Sequence, residues 1–174
     1  MSTGARRVGG YRHRQAGAAD LAPIVAIYNE TVASRLVTAD LEPVAVESRR
    51  SWFAAHDSAT RPLWVVEQQG RVAAWLSFSD FYGRPAYAGT AEVSVYVGAR
   101  WRRQGIGSAL LGRAVQVAPT LGLRTLLGFI FGHNEPSLQL FARAGFQRWG
   151  NLPRVALLDG VERDLVLMGM HCHV

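Results

Sequence analysis

The sequence predicts a single domain of mixed α/β (α+β) class, with a central sheet that is mostly antiparallel and flanked by helices. Its 174 residues suit one domain, and hydrophobic residues make up 49% of them, which is enough to fill a core. Strand-like and helix-like segments alternate along the chain, and no repeat or linker divides it. We expect a flexible tail over residues 1–10 and one domain over residues 11–174.

The first half predicts a strand, two helices and a hairpin. Asp20 is a suitable N-cap for a helix that extends to about Ser34. Pro43 lies near the start of a second helix that carries Trp52 and Phe53. The predicted strands of this half cover residues 11–16, 63–68 and 72–78, with a turn at Gln69-Gly70 between the last two.

The second half contains the clearest strand of the sequence. Residues 90–97 alternate strictly between the two faces of a sheet. A helix is predicted from Gly105 to about Leu121, and Pro119 weakens its last turn. Further strands are predicted over 124–130, 146–155 and 161–170, with a short helix over 135–144 ended by Gly145.

Composition excludes several classes of protein. The net charge is +6 and all nineteen basic residues are Arg, which indicates either an Arg-rich genome or an anionic partner. The absence of Lys excludes a Schiff-base lysine and a Walker-type phosphate loop. The Arg residues form no basic stripe, so we expect no nucleic-acid partner.

No apolar run is long enough to span a membrane. The single cysteine, Cys172, is consistent with a cytoplasmic protein.

The segment from Arg100 to Ser108 has the features of an anion-binding turn. It follows a predicted strand and opens a helix, whose first N–H groups lack partners inside the helix. Gly105 and Gly107 allow the backbone to approach a phosphate closely, and arginines flank them. A dinucleotide fingerprint does not fit, because Leu110 stands where its last glycine is needed. An ordinary helix start with basic neighbours is the simpler alternative.

This segment resembles the GNAT acetyltransferase superfamily, because Arg102-x-x-Gly105-x-Gly107 matches its [RQ]-x-x-G-x-[GA] signature. Four other segments resemble the branch that acetylates phosphinothricin and methionine sulfoximine: Thr90–Val97, Tyr28-Asn29-Glu30, Asn134-x-x-Ser137 and Ala144-Gly145-Phe146.

The resemblance implies that the fourth and fifth predicted strands, 90–97 and 124–130, splay apart and hold acetyl-CoA between them. It implies that main-chain groups of Val95 and Val97 pair with the pantetheine arm. It also implies a homodimer. The cofactor-binding residues it implies are Val95, Tyr96, Val97, Arg102, Arg103, Gln104, Gly105, Ile106, Gly107, Ser108, Asn134 and Ser137.

Acetyl transfer to an amine needs a base, because free amines near neutral pH are mostly protonated. Strand alternation places Glu92, Ser94 and Tyr96 on one face and three valines on the other. We interpret Glu92 as this base, and a surface glutamate is the alternative. Many relatives carry a tyrosine as general acid where this chain has Phe141. Tyr96 and His133 are the other candidates for that proton donor.

The loop before the Glu92 strand predicts a substrate pocket. Arg84 could bind a carboxylate or phosphinate through two hydrogen bonds, with Phe81, Tyr82 and Tyr87 as walls. The alternative is a loop that packs on the sheet or forms a dimer contact. The tryptophans Trp52, Trp64 and Trp75 are expected in the core.

Four functions remain possible from the sequence. The leading hypothesis is acetyl-CoA-dependent acetylation of the primary amine of an L-amino acid or analogue. The alternatives are acetylation of protein N-termini or lysines, a non-catalytic acetyl-CoA-binding module, and nucleic-acid binding. The terminal run His171-Cys172-His173 lacks the spacing of a closed metal site, so we expect no metal there.

Overall fold

The sheet of this protein has eight strands in the order β1-β2-β3-β4-β5-β6-β8-β7. These come from a computed structural model that describes residues 6–8 and 10–172. All neighbouring strands are antiparallel except β5 and β6. The strands are β1 (Arg6–Val8), β2 (Tyr11–Gln15), β3 (Leu63–Gln68), β4 (Arg71–Asp80), β5 (Thr90–Val97), β6 (Thr125–Phe131), β7 (Gln147–Leu158) and β8 (Val161–His171).

Four α-helices cover the sheet. They are α1 (Leu21–Val32), α2 (Arg50–Ala54), α3 (Ile106–Val117) and α4 (Glu135–Arg143). A 3-10 turn extends α3 through Leu121, as Pro119 predicts, and Gly122 then ends it with a left-handed backbone. Among the described residues, no helix has the length and apolar character needed to cross a membrane.

The parallel pair β5/β6 separates after three residues. Thr90, Ala91 and Glu92 face Thr125, Leu126 and Leu127, and the pairing of the two strands then ends. Because β6 pairs with β8 along its whole length, it diverges from β5 together with β8. This confirms the predicted splay, and the strands are the fifth and sixth here because β1 precedes the predicted first strand.

Two apolar clusters fill the structure. The larger one includes Val93, Leu110 and Phe141, with further residues of α3, α4 and the sheet. The smaller one contains Ile24 and Trp75, and Tyr96 packs against it. Val93 therefore packs in one cluster and Tyr96 against the other, as the predicted alternation of β5 requires.

Three local details differ from the sequence-based expectations. Arg6–Val8 lie in the predicted tail but pair with β2, and residues 1–5 and 9 lie outside the described residues. Asp20 makes no capping bond to α1, because its carboxylate accepts from the Gly17 N–H and pairs with Arg14. The second helix begins only at Arg50, after a 3-10 turn at Glu47–Arg49, and therefore well beyond Pro43.

Candidate active site

The turn before α3 presents free backbone N–H groups to solvent. Arg103 and Gly105 both have positive φ angles, 60° and 81°, and residues 102–105 are exposed. Gly105 is the N-cap of α3 and no side chain caps the helix, so its first N–H groups stay available. Tyr11 braces the turn by donating to the Gln104 carbonyl. The turn has the geometry of an anion site at the positive end of a twelve-residue helix.

Glu30 fixes the start of this segment. Its carboxylate accepts from the Ala99 N–H at 2.7 Å, which ties α1 to the turn that follows β5. A Cβ built on Gly105 meets nothing within 4 Å. Glycine is therefore favoured at position 105 by the positive φ angle and not by crowding, and the space beside it is open for a ligand.

Beyond Glu92, the splayed edge of β5 has no neighbouring strand among the described residues. The Gly98 N–H donates to the Ala73 carbonyl of the β4 side at 2.9 Å. Successive residues of a strand direct their backbone groups to opposite edges, so those of Val95 and Val97 face the gap. One of these groups already has a partner, because the Val97 carbonyl accepts from Arg102 Nε at 3.2 Å, so a ligand that pairs with this carbonyl would share or replace that bond. This free edge can accept an extended ligand as an added strand, as the pantetheine prediction requires.

Tyr96 was predicted among the cofactor-binding residues, and this role stays a prediction. The same alternation directs its backbone to β4, and its ring stacks on Trp75 at a centroid distance of 4.3 Å. Burial raises the pKa of the Tyr96 phenol, so the group is protonated at neutral pH.

Glu92 is the last residue of β5 that pairs with β6, and it therefore lies at the apex of the gap. Burial raises the pKa of its carboxyl group above the usual range, and a hydrogen bond from Ser94 Oγ opposes this shift. That bond is long, at 3.4 Å. A carboxylate with a raised pKa and little local stabilisation is suited to accept a proton.

A cavity of about 330 Å³ opens beside Glu92 on the face of the sheet opposite α3. The register of β4 and β5 builds its floor, because Trp75, Ser77 and Ser79 lie opposite Tyr96, Ser94 and Glu92. The volume lies in the range of small-molecule sites. The lining residues are Ile24, Val25, Tyr28, Arg49, Trp52, Trp75, Ser77, Ser79, Glu92, Ser94 and Tyr96.

The segment between α1 and α2 contributes Arg49 to the cavity lining, and several hydrogen bonds hold this segment in place. Asn29 bonds both the N–H and the carbonyl of Val44, at 2.9 and 3.0 Å. The Tyr28 hydroxyl bonds Thr38 and Asp40. Residues 28–30, quoted above only for their resemblance, therefore hold this segment and the anion-binding turn in place.

The predicted substrate loop lies outside the cavity. Phe81, Tyr82 and Tyr87 contact one another, with ring centroids 4.4 to 6.1 Å apart, and Phe81 also lies against Phe129 of β6. Tyr82 is 76% exposed and Arg84 is exposed as well. Substrate binding by this loop stays a prediction.

Asn134 and Ser137 begin α4, where the Asn134 side chain caps the helix by accepting from the Ser137 N–H at 3.2 Å. Asn134 is buried, so its evident role in the fold is this cap. Phe141 packs in the core against Phe146 and offers no proton. His133 Nε2 lies 2.8 Å from the Arg35 carbonyl. Neither His133 nor Phe141 lines the cavity.

Comparison with known proteins agrees with this geometry. Residues 24–146 match the Acetyltransferase (GNAT) family. The chain belongs to this family. It is therefore an N-acetyltransferase that uses acetyl-CoA as its cosubstrate, as the signature around Gly105 predicted.

Individual relatives point to the same branch. The chain is 55% identical over 151 residues to Bacillus subtilis YwnH, provisionally named a phosphinothricin acetyltransferase, covering 86% of this chain and 92% of YwnH. It is 33% identical to the L-methionine sulfoximine/L-methionine sulfone acetyltransferase of Pseudomonas paraeruginosa, covering 91% and 92%. A phosphinothricin acetyltransferase structure from Sinorhizobium meliloti in complex with acetyl-CoA superposes with a TM-score of 0.87 at 29% identity, covering 93% of this chain and 88% of that one.

The fit to acetyl-CoA rests on the free β5 edge and the uncapped start of α3, which suit an amide-containing arm and a diphosphate. When bound, acetyl-CoA supplies the activated thioester. Within residues 6–8 and 10–172, no group of three or more His, Cys, Asp or Glu side chains could hold a metal ion.

Sequence reasoning missed part of the cavity wall. Trp52 and Trp75 were expected in the core, yet both line the cavity, although Trp75 is also buried. Trp64 is in the core as predicted. Ser77 and Ser79 could have been found, because polar residues on alternate positions of an apolar strand signal a second polar face. Arg49 had no comparable signal, since it lies in the irregular connection between α1 and α2.

Proposed function

We propose that this enzyme acetylates the primary amine of an L-amino acid or a close analogue such as phosphinothricin, methionine sulfoximine or methionine sulfone. Transfer is direct, and Glu92 is the general base. The observation that carries the proposal is the position of Glu92, which stands both at the apex of the β5/β6 gap and in the wall of the cavity. The names of the relatives that cover most of this chain support the same substrate class.

In the proposed reaction the amine enters the cavity as an ammonium ion and gives one proton to Glu92, directly or through a water. The neutral nitrogen then bonds to the acetyl carbonyl carbon, and the bond from that carbon to sulfur breaks. The nitrogen loses its second proton and the departing sulfur takes up one, so the products are the N-acetyl compound and CoA. The proton first taken by Glu92 is released to solvent. Tyr96 is a candidate donor of the proton that the sulfur takes up, because its phenol is protonated and lies in the same cavity.

The test is a substrate panel. Purified protein is mixed with acetyl-CoA and each of phosphinothricin, methionine sulfoximine, methionine sulfone and the common L-amino acids, and thiol release and the N-acetyl product are measured. We expect turnover of at least one amino acid. Thiol release only with peptides would favour the protein-acetylating alternative, and acetyl-CoA binding without any turnover would favour a non-catalytic module.

We also propose a homodimer that acts in the cytoplasm. Exposed apolar side chains on β7 and β8, including Val155 at 57% and Leu157 at 63% exposure, support a subunit contact. The lone cysteine and the use of acetyl-CoA support a cytoplasmic site of action. Light scattering should give twice the chain mass of 19.0 kDa, and a single-chain mass would contradict the dimer.

A further inference from the structure

Arg49 is the only cationic side chain among the residues that line the cavity. It ends the 3-10 turn that precedes α2, and its guanidinium lies over the Tyr28 ring with Cζ 4.7 Å from the centroid. Its Nη2 donates to Asp40 Oδ2 at 2.8 Å. Two contacts on different elements therefore fix the orientation of the guanidinium.

Most of the hydrogen-bonding capacity of Arg49 is unused. Arg35 and Arg61, which are also ion-paired, each donate from all three guanidinium nitrogens to protein oxygens. Within the described part of the chain, Arg49 donates from Nη2 alone. Each edge of a guanidinium that can bind a carboxylate through two parallel hydrogen bonds, Nε with Nη2 or Nη1 with Nη2, includes Nη2, which carries two N–H groups. Asp40 occupies one of these edges, so the other remains available to a ligand carboxylate.

The charges of the cavity match those of a free amino acid. Its lining holds one anionic side chain, Glu92, and one cationic side chain, Arg49. An α-amino acid carries one ammonium and one carboxylate group. The apolar walls formed by Ile24, Trp52 and Trp75 can contact its side chain.

We propose that Arg49 binds the α-carboxylate of the acceptor and thereby selects free amino acids over peptides and simple amines. This inference rests on the proposed function and assigns to Arg49 the specificity role that the sequence predicted for Arg84. A peptide N-terminus has a neutral amide where the free amino acid has its carboxylate. Binding a peptide would leave the Arg49 edge without its anion.

The test compares one amine with and without its carboxylate. L-methionine sulfone and its carboxamide are assayed with the wild-type protein and with Arg49→Gln, Arg49→Lys, Arg84→Gln and, as a matched control, Arg50→Gln. Arg50 adjoins Arg49 in sequence, but its side chain is 70% exposed and it does not line the cavity. Acetyl-CoA affinity and Tm are measured for every variant to identify any folding defect.

We expect the wild-type protein to prefer the acid by at least about tenfold in kcat/KM. The less basic amine of the amide works against this preference, so an observed preference understates the role of the carboxylate. Arg49→Gln should lower kcat/KM for the acid on the order of 10- to 100-fold, as expected for lost hydrogen bonds to a charged group, and change the amide less than about threefold. Arg49→Lys should recover part of the loss, and Arg50→Gln should match the wild type.

Three results would overturn the inference. The first is a wild-type kcat/KM for the acid that is about equal to that for the carboxamide. The second is an equal loss of kcat/KM for both compounds in Arg49→Gln. The third is loss of the preference for the acid in Arg84→Gln alone. Each can occur with full turnover by the wild-type protein, which leaves the proposed function intact. The ratio in the wild type is informative even if the Arg49 variants fold poorly. Absence of wild-type turnover on every amino acid would instead reject the proposed function, and the inference with it.

Discussion

Replacing Glu92 with Gln separates a catalytic role from a structural one. A catalytic role predicts that activity falls while thermal stability rises. The amide has nearly the same shape as the carboxylate, and the only hydrogen bond of the Glu92 side chain within the described residues is the 3.4 Å contact with Ser94. Little of the fold depends on its charge. Activity should fall about 10²- to 10⁴-fold in kcat, which is the usual contribution of a general base.

Stability should increase at the same time. Burial raises the pKa of Glu92 in the folded state, so the folded protein favours the protonated acid. The destabilisation by the buried carboxylate is absent below the pKa of the unfolded state and is complete once the pH exceeds the raised folded-state pKa. The Tm of Glu92→Gln should therefore exceed that of the wild type at neutral pH, and the difference should vanish in acid.

The assays are steady-state kinetics, calorimetry with acetyl-CoA and thermal unfolding at several pH values. We expect acetyl-CoA affinity within about threefold of wild type, since Val95, Val97 and the turn before α3 are unaffected. Ser94→Ala is the matched control, because it removes the hydrogen bond from Ser94 Oγ to the Glu92 carboxylate and leaves the base. Wild-type turnover by Glu92→Gln, or lost activity together with lower Tm at neutral pH, would refute the reasoning.

Three further predictions concern the pH dependence, the core and the cofactor turn. In the wild type, kcat/KM should fall as the pH drops through the raised pKa of Glu92, and this fall should be absent in Glu92→Gln. The same pH profile in both proteins would exclude Glu92 as the source of the fall in kcat/KM. Gly128→Ala should lower Tm, because its Cβ would lie 2.4 Å from Cε1 of the buried Phe141, and overpacking of this kind costs about 1–3 kcal/mol. The double variant Gly128→Ala/Phe141→Leu should recover most of this loss in thermal unfolding, and no recovery would contradict the close packing of Gly128 against Phe141. Gly105→Ala should weaken acetyl-CoA binding on the order of tenfold by calorimetry, because φ is 81° at this position and a left-handed residue with a Cβ costs about 1–2 kcal/mol. An unchanged Kd for acetyl-CoA would show that this turn does not hold the cofactor.

Regular periodicity made much of the fold predictable. The strict alternation of residues 90–97 placed Glu92 and Val93 on opposite faces, and the structure confirms this. The turn before α3 was predictable because a glycine at a positive φ angle and an uncapped helix start are local features. The splay itself followed from the family resemblance, since no local pattern records where two strands part.

The cavity could be predicted only in part, because residues distant in sequence build it. Arg49 and Tyr28 meet through an irregular segment of the chain whose path is set by bonds such as those of Asn29 to Val44. Residues in such a segment show no period from which a face could be inferred. Arg84 had the right chemistry in the right neighbourhood, but composition does not determine which way an exposed loop projects.

The most direct test of the account is a crystal structure of the enzyme with CoA and methionine sulfone bound together. The account predicts the diphosphate at the N–H groups that open α3 and the amine nitrogen within about 2.6–3.2 Å of the Glu92 carboxylate, or one water from it. A substrate held at the loop of Arg84, with its nitrogen out of reach of Glu92, would contradict it.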